Sequence, residues 1–286
     1  MRIANHDHRL VLLQRGADGR DRGIDVERAG GGRFGADPQE IYRQWDEFCA
    51  WAEGAGAHAR ADIEIRRELL GPPVPNPGQV FAIGLNYREH AAESNMTGAA
   101  VPPTFTKFPT CLTGPYASVE LPPGNVDWEV ELVAVIGRAA HRVSVEQAWR
   151  CVAGFTVGQD LSERVSQLAP PAPQFSLGKS FPGFGPIGPA VVTLDGLPDP
   201  SDLVIGCELD GEILQKGRTS QMIFDVPRLI AHLSSVVTLR PGDLIFTGTP
   251  SGVGQARTPQ RFLRPGERLV STIEGVGRIE TTFVAA

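Results

Sequence analysis

Apolar residues in this chain fall in short, strand-like runs separated by glycine and proline rather than in long helical stripes. Runs at 80–84, 128–137, 155–158, 190–194, 203–209, 243–247, 268–273 and 277–284 are bounded by turn formers, so each predicts a strand. Residues 1–13 carry two further β-like stretches on either side of His6-Asp7-His8 and predict a hairpin. Helical spacing is rarer. Ile41, Trp45, Phe48 and Ala52 recur at helical intervals behind an Asp37-Pro38 start, which predicts a helix over 38–54. Shorter helices are expected at 88–94, 145–150 and 226–234. Residues 71–79, with four prolines and two glycines, can neither hold a helix nor donate to a central sheet. They serve as a linker between a small N-terminal α/β unit, 1–70, and a larger unit, 80–286. With strands outnumbering helices and no repeat period, the fold class is α+β: the small unit followed by a β-rich mixed roll or barrel.

Composition narrows the function. A chain of 286 residues with 41% hydrophobic content can bury a sizeable core. Its formal net charge of −6 offers no basic field for nucleic acid or an anionic membrane, so the expected partner is a small molecule. No secretory leader follows Met1 and no apolar run approaches membrane length, which predicts a cytoplasmic protein. Cys49, Cys111, Cys151 and Cys207 form no C-x-x-C pair and read as buried free thiols. The chain uses 24 arginines but only Lys107, Lys179 and Lys216, so each lysine invites a reason beyond positive charge.

Two glycine-rich segments are misleading. Gly183-Phe184-Gly185-Pro186-Ile187-Gly188 fits a dinucleotide fingerprint by letter, but its prolines forbid the helix that such a fingerprint opens. The segment 248–254 lacks the Lys-Ser/Thr ending of a phosphate loop and reads as a ligand loop of another kind.

Asp127-Trp128-Glu129-Val130-Glu131-Leu132 alternates acid with apolar, which on a strand places three carboxylates on one face. A solvated sheet face gives the same alternation. The sequel Val133-Ala134-Val135-Ile136 has no polar position, however, and implies a strand buried on both faces. Carboxylates entering such a strand need a counter-charge, which a divalent cation with oxygen ligands supplies. Asp160, at the end of another strand-like run, has the character of a further ligand.

At this point the chain resembles the fumarylacetoacetate hydrolase family. Asn86-Tyr87-Arg88-Glu89-His90-Ala91-Ala92-Glu93, the acidic run at 127–132, Asp160-Leu161-Ser162-Glu163-Arg164-Val165-Ser166-Gln167, Gly178-Lys179-Ser180-Phe181 and the 246–254 loop stand in that family's order, from about residue 79 to the C-terminus. The resemblance implies Mg²⁺ or Mn²⁺ held by Glu129, Glu131 and Asp160, with Asp127 and Lys107 supporting the ligands. It implies that His90 and Glu93 form a base pair of residues and that Lys179 reaches the reacting carbonyl. Arg164, Gln167 and the Thr249 hydroxyl would grip a substrate carboxylate. By spacing alone, His90 with Glu93 could equally be a surface pair, and Arg164 a surface ion pair with Glu163 or Asp160. Residues 95–103 read as a short hinged segment that lets the preceding helix act as a lid. Pro182, Gln159 and Glu163 depart from the pattern of many relatives and bear on substrate identity.

The activity expected from this resemblance is a metal-dependent hydrolase that cuts a carbon–carbon bond in a 2,4-dioxo acid, an acylpyruvate or a diketo-deoxy sugar acid, through a stabilised enolate. A 2-oxo acid decarboxylase, acting on oxaloacetate, or a keto–enol isomerase using the same site is the alternative. A catalytically silent metal-binding protein is a third reading. The family also implies a homodimer.

Overall fold

The computed structural model describes residues 1–93 and 100–286. The hinge expected at 95–103 therefore lies largely outside the described residues. Two open β-sheets organise the chain, and neither closes on itself, so the topology is a mixed helix-and-sheet roll rather than a barrel. The long sheet runs, in spatial order, Ile63–Glu64, Asp21–Asp25, Arg9–Arg15, Arg2–His6, Gly185–Val192, Val152–Gln159, Val130–Ile136, Leu244–Phe246, Val80–Ile83, Thr104–Thr106. The second sheet runs Glu212–Arg218, Val204–Leu209, Arg268–Ile273, Gly277–Ala285, Ser118–Leu121.

The strand Val130–Ile136 is buried along its whole length because both its faces are covered. On one face Leu132 joins Phe155, Val157, Ile205, Leu269, Ile279 and Phe283, which stitches the two sheets together, with Leu229, Ile230 and Leu233 of the helix Val226–Val236 in the same core. On the other face Val133, Val135 and Phe246 meet Trp45, Phe48 and Trp51 of the helix Trp45–Glu53. The N-terminal strands pair into this sheet directly, Arg2 opposite Val192 and Ile3 opposite Val191, so segments on both sides of 71–79 share one sheet.

Most expected elements are present with shifted ends. The first hairpin turns at Asp7 and His8, both with positive φ, as a two-residue hairpin loop requires. The 38–54 helix divides into a 3₁₀ turn, Glu40–Gln44, and the α-helix Trp45–Glu53, with Gln44 leaving helical geometry between them. The strand expected from 190 begins at Gly185; Pro189 falls where the register against Val152–Gln159 shifts, and Pro186 lies beyond the residues paired with that strand. The charged strand Glu212–Arg218 carries too few apolar positions to be read as one.

One difference matters for the site. The acidic run is not a single strand. Val126–Asp127 pairs with Ser162–Glu163 in a separate two-stranded sheet, and Val130–Ile136 belongs to the long sheet. Trp128 and Glu129 lie in the break, so Asp127 is parted from the two glutamates that follow it.

Opposite Glu131 in the long sheet stands Gly158. A Cβ there would come within 2.5 Å of Val133 Cγ2 and 2.8 Å of Phe246 Cε1. Gly158→Ala should therefore overpack the layer behind Glu131 and cost about 1–3 kcal/mol, read as a lowered urea midpoint. An unchanged midpoint would show that the layer has room.

Candidate active site

Three segments meet at the site. The break before Val130–Ile136 supplies Glu129, the strand itself supplies Glu131, and the end of Val152–Gln159 delivers Asp160. All three are buried, and they offer oxygens that lie within 4.8 Å of one another. Asp127, also buried, does not join this cluster. Its oxygens accept from the backbone N–H groups of Trp128, Gly254 and Gln255 at 2.7–2.9 Å and from the Arg164 guanidinium at 2.7 and 2.9 Å.

Three buried cations answer the four buried carboxylates. Lys107 Nζ donates to Asp160 Oδ1 at 2.7 Å, to the Phe184 carbonyl at 3.2 Å and to the Lys179 carbonyl. Lys179 Nζ lies 2.8 Å from Glu129 Oε2 and 2.7 Å from Asp160 Oδ2, with the Phe105 ring beneath it. Here the lysine choice has a physical reason: a compact ammonium with rotatable donors fits between converging oxygens where a planar guanidinium would not. Lys216 is exposed, as its turn-flanking position suggests. Arg164 opens the one-turn helix Arg164–Gln167, which Glu163 caps by accepting from Val165 and Ser166 N–H. Its guanidinium reaches Asp127 and Glu129, at 2.7 Å each from Nη2, and gives Nη1 to Gln167 Oε1 at 2.9 Å. One Nη1 hydrogen and the Gln167 amide NH₂ make no protein hydrogen bond among the described residues, and both residues line the cavity.

The electrostatics follow from these contacts. Burial alone would raise the Glu129 carboxyl, but Lys179 and Arg164 prevail and bring it to about 2. Glu131 makes no ion pair among the described residues: burial, Asp160 and Glu129 raise it well above the carboxylate range, and the charge of Lys179 with the Gly248 N–H at 2.8 Å compensates only in part. Burial would lower the Lys179 ammonium, but Asp160 and Glu129 hold it above its ordinary value. The cluster is thus one positive charge short of neutrality, and the missing charge falls at Glu131. An all-oxygen donor set of three converging carboxylates fits a hard divalent cation, and Glu129, Glu131 and Asp160 are the residues that would hold it.

His90 and Glu93 sit on the helix Arg88–Glu93, one turn apart, with His90 Nδ1 2.7 Å from Glu93 Oε1. The Gly252 N–H holds the same carboxylate at 3.0 Å. The 248–255 loop therefore directs backbone N–H groups at three acids: Gly248 at Glu131, Gly252 at Glu93, and Gly254 with Gln255 at Asp127. Positive φ at Gly248 and Gly252 permits this, and a Cβ on Gly252 would fall 2.2 Å from the Leu214 carbonyl. Asn86 anchors the loop's start by donating to the Thr247 carbonyl at 2.7 Å. The Thr249 hydroxyl, expected to face a substrate, gives its proton to the Val130 carbonyl at 2.8 Å and accepts from Gln215 at 2.8 Å.

His90, Glu93, Glu129, Arg164, Gln167, Lys179 and Thr249 all line one cavity of about 350 Å³. Its remaining wall is largely apolar, including Ile83, Leu85, Phe105, Leu168, Phe175 and Val253. These apolar residues went unread in the sequence because nothing in their local pattern separates a cavity wall from a core. Gln215 was likewise not seen, and Gln159 was noted only as a departure bearing on substrate identity, not as the acceptor of the Glu129 N–H.

Beside the converging carboxylates, an arginine–glutamine arm and a histidine–glutamate pair meet on one cavity, an arrangement that fits a hard divalent cation and an organic acid. Comparison with known proteins agrees. The model of the fumarylacetoacetate (FAA) hydrolase C-terminal domain matches residues 79–284, and the chain belongs to the fumarylacetoacetate hydrolase family. It is 45% identical over 209 residues to the human mitochondrial oxaloacetate tautomerase FAHD2A, covering 72% of this chain and 67% of that protein. An HpcE-type protein from Mycobacterium smegmatis is 52% identical and superposes with a TM-score of 0.93 over 100% of both chains. Maleylpyruvate hydrolase from Sphingobium sp. SYK-6, solved with manganese(II) and pyruvate, is 27% identical with a TM-score of 0.80 over 100% of both chains. Among the described residues no helix is long and apolar enough to cross a membrane.

Because the folded protein raises the Glu131 pKa, an ionised Glu131 destabilises the metal-free fold at neutral pH. Glu131→Gln should accordingly leave the metal-free Tm unchanged or higher while abolishing the Tm rise caused by Mn²⁺. Melting curves with and without Mn²⁺ check both halves. A variant still stabilised by Mn²⁺ like the wild type would remove Glu131 from the ligand set.

Proposed function

We propose that this protein is a divalent-metal-dependent enzyme of 2-oxo acids that interconverts keto and enol forms, with oxaloacetate as the leading substrate and Glu129, Glu131 and Asp160 holding Mg²⁺ or Mn²⁺. The observation that carries the reading is the His90–Glu93 pair facing the same cavity as Glu129 and Arg164. The 45% identity to an oxaloacetate tautomerase, against 27% to a maleylpyruvate hydrolase, supports placing tautomerisation ahead of the hydrolysis expected from sequence.

The cation supplies Lewis acidity that draws electron density from a 2-oxo group and favours negative charge on its oxygen. The chain's own residues do the rest. Arg164 and Gln167 offer free N–H donors that fix the substrate carboxylate at the metal end of the cavity. Glu93, itself held by Gly252, accepts the His90 Nδ1 proton and leaves Nε2 as the free base. His90 takes a proton from the carbon beside the oxo group and returns it to the oxygen, which is tautomerisation. Lys179 keeps a full positive charge beside the forming enolate.

Hydrolysis of an acylpyruvate is the second reading, favoured by the apolar wall of Phe105, Phe175, Leu168 and Ile83, which is larger than oxaloacetate needs. In that reaction the same imidazole takes its proton from water.

His90→Ala and Glu93→Gln should each slow turnover by about 10²–10⁴-fold, and the double variant should be little worse than either single one. Ultraviolet absorbance of the enol follows oxaloacetate tautomerisation, and the same Mn²⁺-loaded enzyme can be assayed with acetylpyruvate. Faster cleavage of acetylpyruvate than tautomerisation of oxaloacetate would give the assignment to the hydrolase. Near wild-type rates in both single variants would remove the pair from the chemistry.

A further inference from the structure

The metal-site segment is held in an unusual way. At the break between the two strands, three successive backbone N–H groups have no backbone partner on a neighbouring strand. Each is taken by a side chain: Trp128 N–H by Asp127 Oδ1 at 2.8 Å, Glu129 N–H by Gln159 Oε1 at 2.9 Å, and Val130 N–H by Gln215 Oε1 at 3.0 Å. Side chains have replaced the sheet ladder at Glu129 and at the residue just before Glu131, beside two of the three converging carboxylates.

Gln215 does more than fill one of these bonds. It is buried in the strand Glu212–Arg218 at the far edge of the second sheet, with no part in the cavity wall. Its Nε2 donates to the Thr249 hydroxyl at 2.8 Å and to the Pro250 carbonyl at 2.7 Å, while its Oε1 accepts from Val130 N–H and from the Cys207 thiol at 3.3 Å. Thr249 in turn donates to the Val130 carbonyl at 2.8 Å, so a closed ring of hydrogen bonds joins one amide, one hydroxyl and the backbone N–H and C=O of one residue. The two pieces it joins are the segment bearing Glu129 and Glu131 and the loop whose Gly248 N–H holds Glu131. Gln159 acts in parallel, accepting from Glu129 N–H and donating to Ser271 of the second sheet at 2.8 Å. Both glutamines thus reference the carboxylates to the second sheet.

We propose that Gln215 is a positioning residue for the cation site: it sets the separation of Glu129 and Glu131 and aligns the 248–250 loop with them, without touching the cation or the substrate. An amide suits this place because it alone supplies one acceptor and two donors with no charge. Glutamate would lose both donors, and methionine would leave the Val130 N–H, the Thr249 hydroxyl and the Pro250 carbonyl without this partner. The inference rests on the cation reading of Glu129, Glu131 and Asp160, and not on which reaction the site performs.

Mn²⁺ titration followed by the electron paramagnetic resonance of the free ion tests it without any turnover. Gln215→Met removes the ring, and Gln215→Asn keeps the amide but withdraws it by about 1.5 Å, one C–C bond. Thr219→Val is the control, because it removes another buried polar contact near the same strand, the Leu203 N–H to the Thr219 hydroxyl at 2.8 Å, away from the cavity. The expected result is a 10–100-fold loss of Mn²⁺ affinity in both Gln215 variants, about the range seen when groups behind metal ligands are removed, with Thr219→Val binding as the wild type even where its Tm falls comparably. Should Gln215→Met fail to fold, Gln215→Asn decides alone. Wild-type affinity in a folded Gln215 variant would overturn the proposal, as would an equal loss in Thr219→Val, which would mark a general effect of destabilisation. A wild-type protein that binds no Mn²⁺ would overturn the cation reading and this inference together.

Discussion

Four carboxylates, Asp127, Glu129, Glu131 and Asp160, are buried in one corner of the molecule, and much of the surrounding polar architecture exists to make that tolerable. Desolvating even one unpaired carboxylate costs several kcal/mol. The chain meets the problem with two ammonium groups, one guanidinium and a loop of backbone N–H donors, yet it stops one positive charge short. A divalent cation held by Glu129, Glu131 and Asp160 would supply the missing positive charge.

The fold supplies this corner by interrupting a strand. Buried on both faces, Val130–Ile136 fixes Glu131 rigidly opposite Gly158, and the break before it lets Glu129 turn toward Lys179 and Arg164. The adjacent strand ends at Gln159, which places Asp160 where Lys107 and Lys179 reach it from two directions. The 248–255 loop links the carboxylate cluster to the His90–Glu93 pair, since it touches Glu131, Asp127 and Glu93 at once. Substitutions in that loop should therefore disturb binding and chemistry together, even where they leave every acid in place.

Much of this was legible in the sequence because it is carried by residue type. The run of apolar residues after Glu131 announced a doubly buried strand, and three lysines among 24 arginines pointed to Lys107 and Lys179. Asp127 was separated from the ligands only by family resemblance; the alternation itself put it on their face, and the strand break that removes it leaves no sequence signal. Gln215 was invisible for a related reason. It lies in a polar strand, Glu212–Arg218, where a buried glutamine looks like any exposed one until the peptide it serves is brought to it from 85 positions away. The Thr249 hydroxyl shows the same limit, because its motif identifies the loop but not the direction in which its proton is given.

The most direct test of this account is where a cation binds. In crystals grown with Mn²⁺ and measured near the manganese absorption edge, one strong anomalous peak per chain is expected, about 2.0–2.3 Å from an oxygen each of Glu129, Glu131 and Asp160. A peak elsewhere, or none at this cluster under saturating Mn²⁺, would contradict it.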